Sequence, residues 1–308
     1  MNDTTRNILP PRLQRGDTIG IIAPAGPIRD QEQFAAGVRL IREMGFEVKF
    51  DRDILRREGY LAGTDQRRAD EFNTLWADPE VKGLFAARGG YGSLRIAADI
   101  DMEMIRRTPK ILVGFSDITV LLCAVGKSTD LVTFHGPTVS TLATSDHGST
   151  TSLFNTIAGP RPPEPIKPGR LEILASGNAH GRLMGGNLTN LCHLLGTPFE
   201  PDWRRTILFL EDIGEATYRV DRMLTQLATA GKFAEISGLL LGEFTDCGDT
   251  EAIWQRALEL TGGTIPVWGN FPVGHGKQNL TMPVGIPAEM DAGSGRLQFN
   301  SLSTADPA

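Results

Sequence analysis

Ser116 stands in Gly114-Phe115-Ser116-Asp117, between the apolar run Ile111, Leu112, Val113 and a segment from Thr119 to Val125 whose apolar residues recur at helical spacing. The pattern predicts a serine on a tight strand-to-helix turn, its hydroxyl exposed near a helix N-terminus. A hydroxyl is a weak nucleophile until a neighbouring base takes its proton. The chain must therefore also supply a base and a group that orients it. The spacing departs from G-x-S-x-G, because Ile118 stands where the last glycine would be, and Ser116 can equally serve as a helix N-cap.

Histidine suits the task of base because its pKa lies near neutrality, and the chain offers five. His193 lies in an apolar helical pattern and reads as a core or interface residue, while His147 and His180 lie in polar loops beside glycine and read as solvated surface. His135 follows a strand and precedes Gly136 and Pro137. His275 sits in residues 270–285, NFPVGHGKQNLTMPVG, whose glycines and prolines around one imidazole suggest a shaped site. A triad also needs an acid to hold the imidazole in the right tautomer. The run ILFLED, residues 207–212, ends an apolar strand in Glu211 and Asp212, with Glu215 close behind. Acids there can instead complement the start of the following helix. Residues 88–93, RGGYGS, form a glycine loop that matches neither G-x-G-x-x-G nor a P-loop lysine motif. Its glycines can bring N–H groups to an anion or a developing oxyanion, or make a simple tight turn.

The elements that must position these residues follow from periodicity. Strands are predicted over 18–23, 47–50, 83–87, 111–113 and 131–134, separated by helices over 30–44, 65–76 and 119–125 and by helical material over 93–105 broken near Ile100. This alternation is the signature of an α/β domain with a largely parallel sheet. Residues 24–27, 88–93 and 114–117 each follow a strand, where active residues of open α/β sheets gather. The run GPRPPEPIKPG, residues 159–169, cannot sustain a helix or a central strand and reads as a linker. It divides the chain into an N-terminal domain, 1–158, and a C-terminal domain, 170–308. The second half is predicted to place strands at 171–174, 206–210, 238–241 and 266–269 and helices at 188–195, 217–230 and 250–261.

Composition narrows the function classes. The 308 residues can bury a core without disulfides or metals, and a net charge of -6 argues against a nucleic-acid binder. No apolar run is long enough to span a bilayer, and the start, MNDTTRNILPPRLQRGD, lacks the apolar core of a signal peptide, so a cytoplasmic protein is expected. The three cysteines, Cys123, Cys192 and Cys247, are scattered, with no C-x-x-C pair to suggest zinc.

Taken together, GFSD at Ser116, GRLMGGNLTNLCHLLGTP over 181–198, LFLEDIGE over 208–215 and PVGHGKQNLTMPVG over 272–285 resemble the LD-carboxypeptidase family of serine peptidases. The opening GDTIGIIAPAGP and the loop ARGGYGS fit as well, so the resemblance runs in order from Gly16 to Gly285. It implies a parallel-sheet, Rossmann- or flavodoxin-like N-terminal domain and a smaller C-terminal α/β domain with the active site at their interface. It implies Ser116 as nucleophile, His275 as general base and later acid, and Glu211 as the residue orienting His275. The oxyanion hole falls on the backbone N–H groups of Gly90 and Asp117. Arg88 is the positional candidate for the substrate's α-carboxylate, since a guanidinium can bind it in bidentate fashion. Family enzymes remove terminal D-alanine from muropeptide tetrapeptides in cytoplasmic murein recycling, are often homodimers, and need no metal or organic cofactor. A muropeptide, and neither nucleic acid nor membrane, is thus the expected partner. The microcin C immunity peptidases, which act on aminoacyl or peptidyl nucleotides, are the related alternative. The short connection 198–206, with Phe199 and Trp203 as its aromatics, offers little to hold a nucleotide. An alternative of another class is a non-catalytic two-domain protein that holds a small ligand in its cleft.

Overall fold

The computed structural model describes residues 7–307, so the first six residues of the expected N-terminal domain lie outside the described residues. The first half supplies strands β1 (Thr18–Ile22), β2 (Glu47–Lys49), β3 (Val81–Ala86), β4 (Ile111–Gly114) and β5 (Thr133–His135). The second half supplies β6 (Glu172–Ala175), β7 (Asn178–Asn187), β8 (Thr206–Ile213), β9 (Gly238–Thr245), β10 (Val267–Gly269), β11 (Met282–Val284), β12 (Pro287–Asp291) and β13 (Arg296–Phe299).

Strands β1 to β5 pair in parallel in the order 2-1-3-4-5, the flavodoxin-like winding. Local signals explain the crossovers. Asp30 caps the helix Gln31–Glu43 by accepting from the Glu32 and Gln33 N–H groups, and Thr64 caps Asp65–Ala77 by accepting from Arg67. The strand order reverses between β1 and β3, so the loops that follow these two strands diverge and leave a crevice at the carboxyl edge. The second sheet runs β13-β12-β7-β8-β9-β10-β6, parallel from β7 to β10 and antiparallel at both edges.

Among the elements absent from the sequence expectation, two bear on the site. The ten-residue β7 covers residues 181–187, to which periodicity assigned no element; Gly185 and Gly186 have φ of 155° and 139°, and a Cβ at Gly185 would fall on the Phe209 carbonyl. Only glycine lets the strand pass so close to its neighbour. The segment 270–285, read as irregular, contains β11, which crosses to the first sheet and pairs antiparallel with β5, Met282 opposite His135. Residues 159–169 contain no helix or extended strand; Ile166 makes a single bridge to Leu297. The buried apolar residues form two clusters, each drawing on both halves: Leu121 and Val125 with Leu188 and Leu191, and Phe134 and Phe154 with Phe209 and Phe271.

Candidate active site

The serine lies on the expected strand-to-helix turn and not at a helix N-cap. Strand β4 ends at Gly114, Ser116 opens a single 3-10 turn through Ile118, and the helix Thr119–Thr129 follows directly. Ser116 caps neither helix. Its φ is 62°, in the left-handed region that a non-glycine residue enters only at a cost of about 1–3 kcal/mol. That conformation holds its side chain out of the strand and against the glycine loop: a Cβ on Gly89 would lie 2.8 Å from Ser116 Cβ and 2.9 Å from its Oγ. The N–H groups of Gly90 and Asp117 have no backbone acceptor among the described residues.

Several contacts tie the glycine loop to this turn. Asp117 is 4% exposed, and its Oδ2 accepts the Ser93 N–H at 2.8 Å; burial raises its pKa, while the Ser93 hydrogen bonds and distant cations oppose the rise. The Gly26 N–H donates to the Gly89 carbonyl at 3.1 Å. Arg68, fully buried, donates to the carbonyls of Pro24 and Gly92 and pairs with Asp65, so one guanidinium pins the loops after β1 and β3. Arg88 is half-buried, with Nη1 filling the space beside Gly26 and Gly90, and no carboxylate pairs with it among the described residues. Burial, then the charge of Arg29, lowers its pKa from the usual guanidinium range.

Strand β8 carries the acid. Glu211 is fully buried near the end of β8, opposite Asn187 of β7, where the β8–β9 register shifts between Leu210 and Asp212. A bulge of this kind re-aims a side chain. Its Oε2 lies 2.6 Å from His275 Nδ1. The loop reaches this distance because Gly274, with φ of 124°, lets its backbone meet the glutamate: a Cβ there would stand 2.9 Å from Glu211 Cβ. Asp212 points away, accepting from Asn187 Nδ2 and from the backbone and hydroxyl of Thr189 at the start of Leu188–Leu194. It thus serves an earlier helix than the one sequence position suggested.

Burial lowers the His275 pKa, but attraction to Glu211 and the hydrogen bond between them, with Asp212 adding, outweigh it and leave the imidazole above its ordinary 6.5. Burial raises the Glu211 pKa, against the pull of His275. A carboxylate facing Nδ1 requires the proton on that nitrogen, which leaves Nε2 with a free lone pair. The His275 ring sits 4.8 Å, centroid to centroid, from Phe115, the residue before Ser116. The serine turn, the glycine loop and the acid–imidazole pair therefore converge. This set can take a proton from a hydroxyl and present two amide donors to a developing oxyanion.

Among the remaining histidines, His147, His180 and His193 are exposed, and His135 is fully buried beside Phe115. Burial pushes the Cys123 and Cys192 thiols up to about 12, with Asp212 contributing at Cys192. Among the described residues no cluster of three His, Cys, Asp or Glu could hold a metal, and no helix is long and apolar enough to cross a membrane. A hollow of about 240 Å³ between Leu122–Leu131 and Arg182–Met184 lies at the far end of the helix that follows Ser116; Cys123 lines it, and none of Ser116, Glu211, His275 or Arg88 does. Sequence reasoning missed Arg68, Asn187 and Asn279. Arg68 carried one signal, a charge on the face of 65–77 shared with Phe72 and Leu75.

Comparison with known proteins places this geometry. Residues 19–136 match the LD-carboxypeptidase N-terminal domain and residues 180–290 the LD-carboxypeptidase C-terminal domain. A probable murein peptide carboxypeptidase of Bacillus subtilis is 38% identical over 296 residues, covering 92% of each chain. The crystal structure of muramoyltetrapeptide carboxypeptidase from Oxalobacter formigenes superimposes with a TM-score of 0.79 at 31% identity, over 91% of this chain and 97% of that one. The microcin C7 self-immunity protein MccF in complex with aspartyl sulfamoyl adenosine superimposes with a TM-score of 0.88 at 26% identity, over 97% of this chain and 100% of the other. With both halves matched in order over most of its length, the chain belongs to the LD-carboxypeptidase family.

Proposed function

We propose that the protein is a serine carboxypeptidase that cuts the bond between an L-centre and the terminal D-alanine of a muropeptide tetrapeptide. The observation that carries this reading is the 2.6 Å contact between Glu211 and His275, held beside a left-handed Ser116. His275 Nε2 takes the Ser116 proton as Oγ bonds to the carbonyl carbon, and the Gly90 and Asp117 amides receive the negative oxygen. The C–N bond then breaks, His275 gives its proton to the amine, and D-alanine leaves. Water, deprotonated by His275, attacks the acyl-enzyme; the acid departs and Ser116 regains its hydrogen. Each oxyanion donor contributes about 2.7–4 kcal/mol to the transition state. Arg88, a half-buried cation without an acid, receives the α-carboxylate of the substrate, which offsets the cost of burying its charge beside Arg29.

A muropeptide is favoured over an aminoacyl nucleotide by the name of the Bacillus subtilis relative at 38% identity, a probable murein peptide carboxypeptidase. The aromatics of the 198–206 connection also speak against base stacking: Trp203 is 1% exposed and donates to Glu200, beneath Lys232. A cytoplasmic homodimer acting in murein recycling completes the reading, on the strength of the family resemblance. Assaying the purified protein against murein tetrapeptide and aspartyl sulfamoyl adenosine tests it. Release of D-alanine from the first supports the proposal; cleavage of the second alone would replace it with the nucleotide-directed alternative.

A further inference from the structure

We propose that His135 is a positioning residue for His275, acting through Asn279. The inference rests on the reading of His275 as the base. His135 ends β5, is fully buried, and among the described residues has no hydrogen-bond partner at either ring nitrogen. It stands edge-on between Phe115 at 5.8 Å and Phe209 at 5.1 Å, and Phe115 is the same ring that contacts His275. Burial, with the nearby His275 adding, pushes its pKa down to about 3, so the ring is neutral at any working pH. A purely apolar side chain would fill this place without leaving two polar atoms unpaired.

Asn279 is the polar side chain near enough to offer His135 a hydrogen bond. It is 5% exposed, and its Nδ2 also lacks a partner. Leaving a buried donor or acceptor unsatisfied costs about 1–3 kcal/mol. A small rotation that lets Nδ2 donate to the acceptor nitrogen of the His135 ring pairs the amide and one of the two ring nitrogens. That arrangement keeps Oδ1 facing the Gly274 N–H, which it accepts at 3.1 Å, while the Asn279 N–H donates to Ser149 Oγ at 2.9 Å. Gly274 is the residue whose backbone meets Glu211, so Asn279 sets the height of the loop at the point where Nδ1 reaches Oε2. The first sheet thereby fixes the imidazole that the second sheet's glutamate orients.

The test measures D-alanine release from murein tetrapeptide by the full chain carrying His135→Leu, His135→Gln, Asn279→Ala, or His135→Leu with Asn279→Ala. The His135→Leu change is expected to lower kcat about 10- to 100-fold with KM changed by less than about twofold, as for other residues that orient a reacting group. The acid limb of the pH profile should move to lower pH. The His275 pKa is held up by Glu211, so a loop slack at Gly274 weakens that support, while Asp212 on β8 and Glu243 on β9, whose carboxylate fills the space beside Gly276, stay in place. Glutamine at 135, which keeps an acceptor, should restore most of kcat, and the double variant should be no slower than the single ones. An unmoved acid limb, equal rates for Leu and Gln, or multiplying losses in the double variant would overturn the inference. Should His135→Leu not fold, Asn279→Ala alone decides by the same limb. Retained turnover in His275→Ala would instead dispose of the base assignment itself.

Discussion

At the scale of residues, the chemistry rests on one charge placed behind one ring. Glu211 is buried where an ionised carboxylate is costly, and the His275 imidazole offsets that cost, with the consequence that the proposed base, His275, is held above 6.5. Because the base acts only when neutral, kcat/KM should rise with pH through a limb above 6.5. Replacing Glu211 by Gln removes the charge that favours the imidazolium and leaves burial to lower the pKa. The limb of the residual activity should then fall below 6.5, with kcat down about 10⁴-fold. A pH–rate profile checks both parts, and an unmoved limb would mean that another group titrates. Arg88 makes a separate prediction. Converting the substrate carboxylate to an amide should cost the native enzyme about 10-fold or more in kcat/KM and cost Arg88→Ala almost nothing, since the bidentate contact is already lost. Sequence singled out Ser116, Glu211 and His275 because each stands in a motif with its own glycines. It hid Asn187, Asn279 and Arg68, whose roles come from partners 24 to 130 residues away.

At the scale of elements, the sequence displayed the helices and the parallel strands through their periodicity and caps, as with Asp30 before Gln31–Glu43. It concealed β7, because a strand carrying Gly185 and Gly186 breaks the propensity rule that normally identifies one. The reason is close approach: the Phe209 carbonyl occupies the space of a Gly185 side chain, and Thr119, at the head of the helix after Ser116, lies 2.6 Å from a Cβ at Gly186. Gly185→Ala should therefore destabilise the protein by about 2–4 kcal/mol through strain at φ 155° and displacement of β8. A urea midpoint lowered at constant slope would register it. An unchanged midpoint would show that β7 has room to relax.

At the scale of the whole molecule, the two sheets are not independent. Strand β11 leaves the second half to extend the first sheet along β5, and its preceding loop is anchored on the helix His147–Ala158 through Gln278 to Asp146 and Thr281 to Ser152. Composition and periodicity identified two α/β units, but a three-residue strand containing Pro283 gives no local sign of which sheet it joins. A chain ended after Gly169 would expose Leu121, Phe134 and the edge of β5, and we expect it to lose cooperative unfolding by circular dichroism. A sharp thermal transition in that fragment would contradict the shared core. The same union of sheets brings His275, the base proposed for Ser116, against Phe115 of the serine turn. The most direct measurement is therefore stoichiometric labelling by a serine-directed fluorophosphonate, followed by intact mass and peptide mapping alongside D-alanine release. The account predicts one adduct on Ser116, loss of turnover in step with labelling, and no adduct in Ser116→Ala or His275→Ala. An active preparation that resists labelling, or carries its adduct elsewhere, would contradict it.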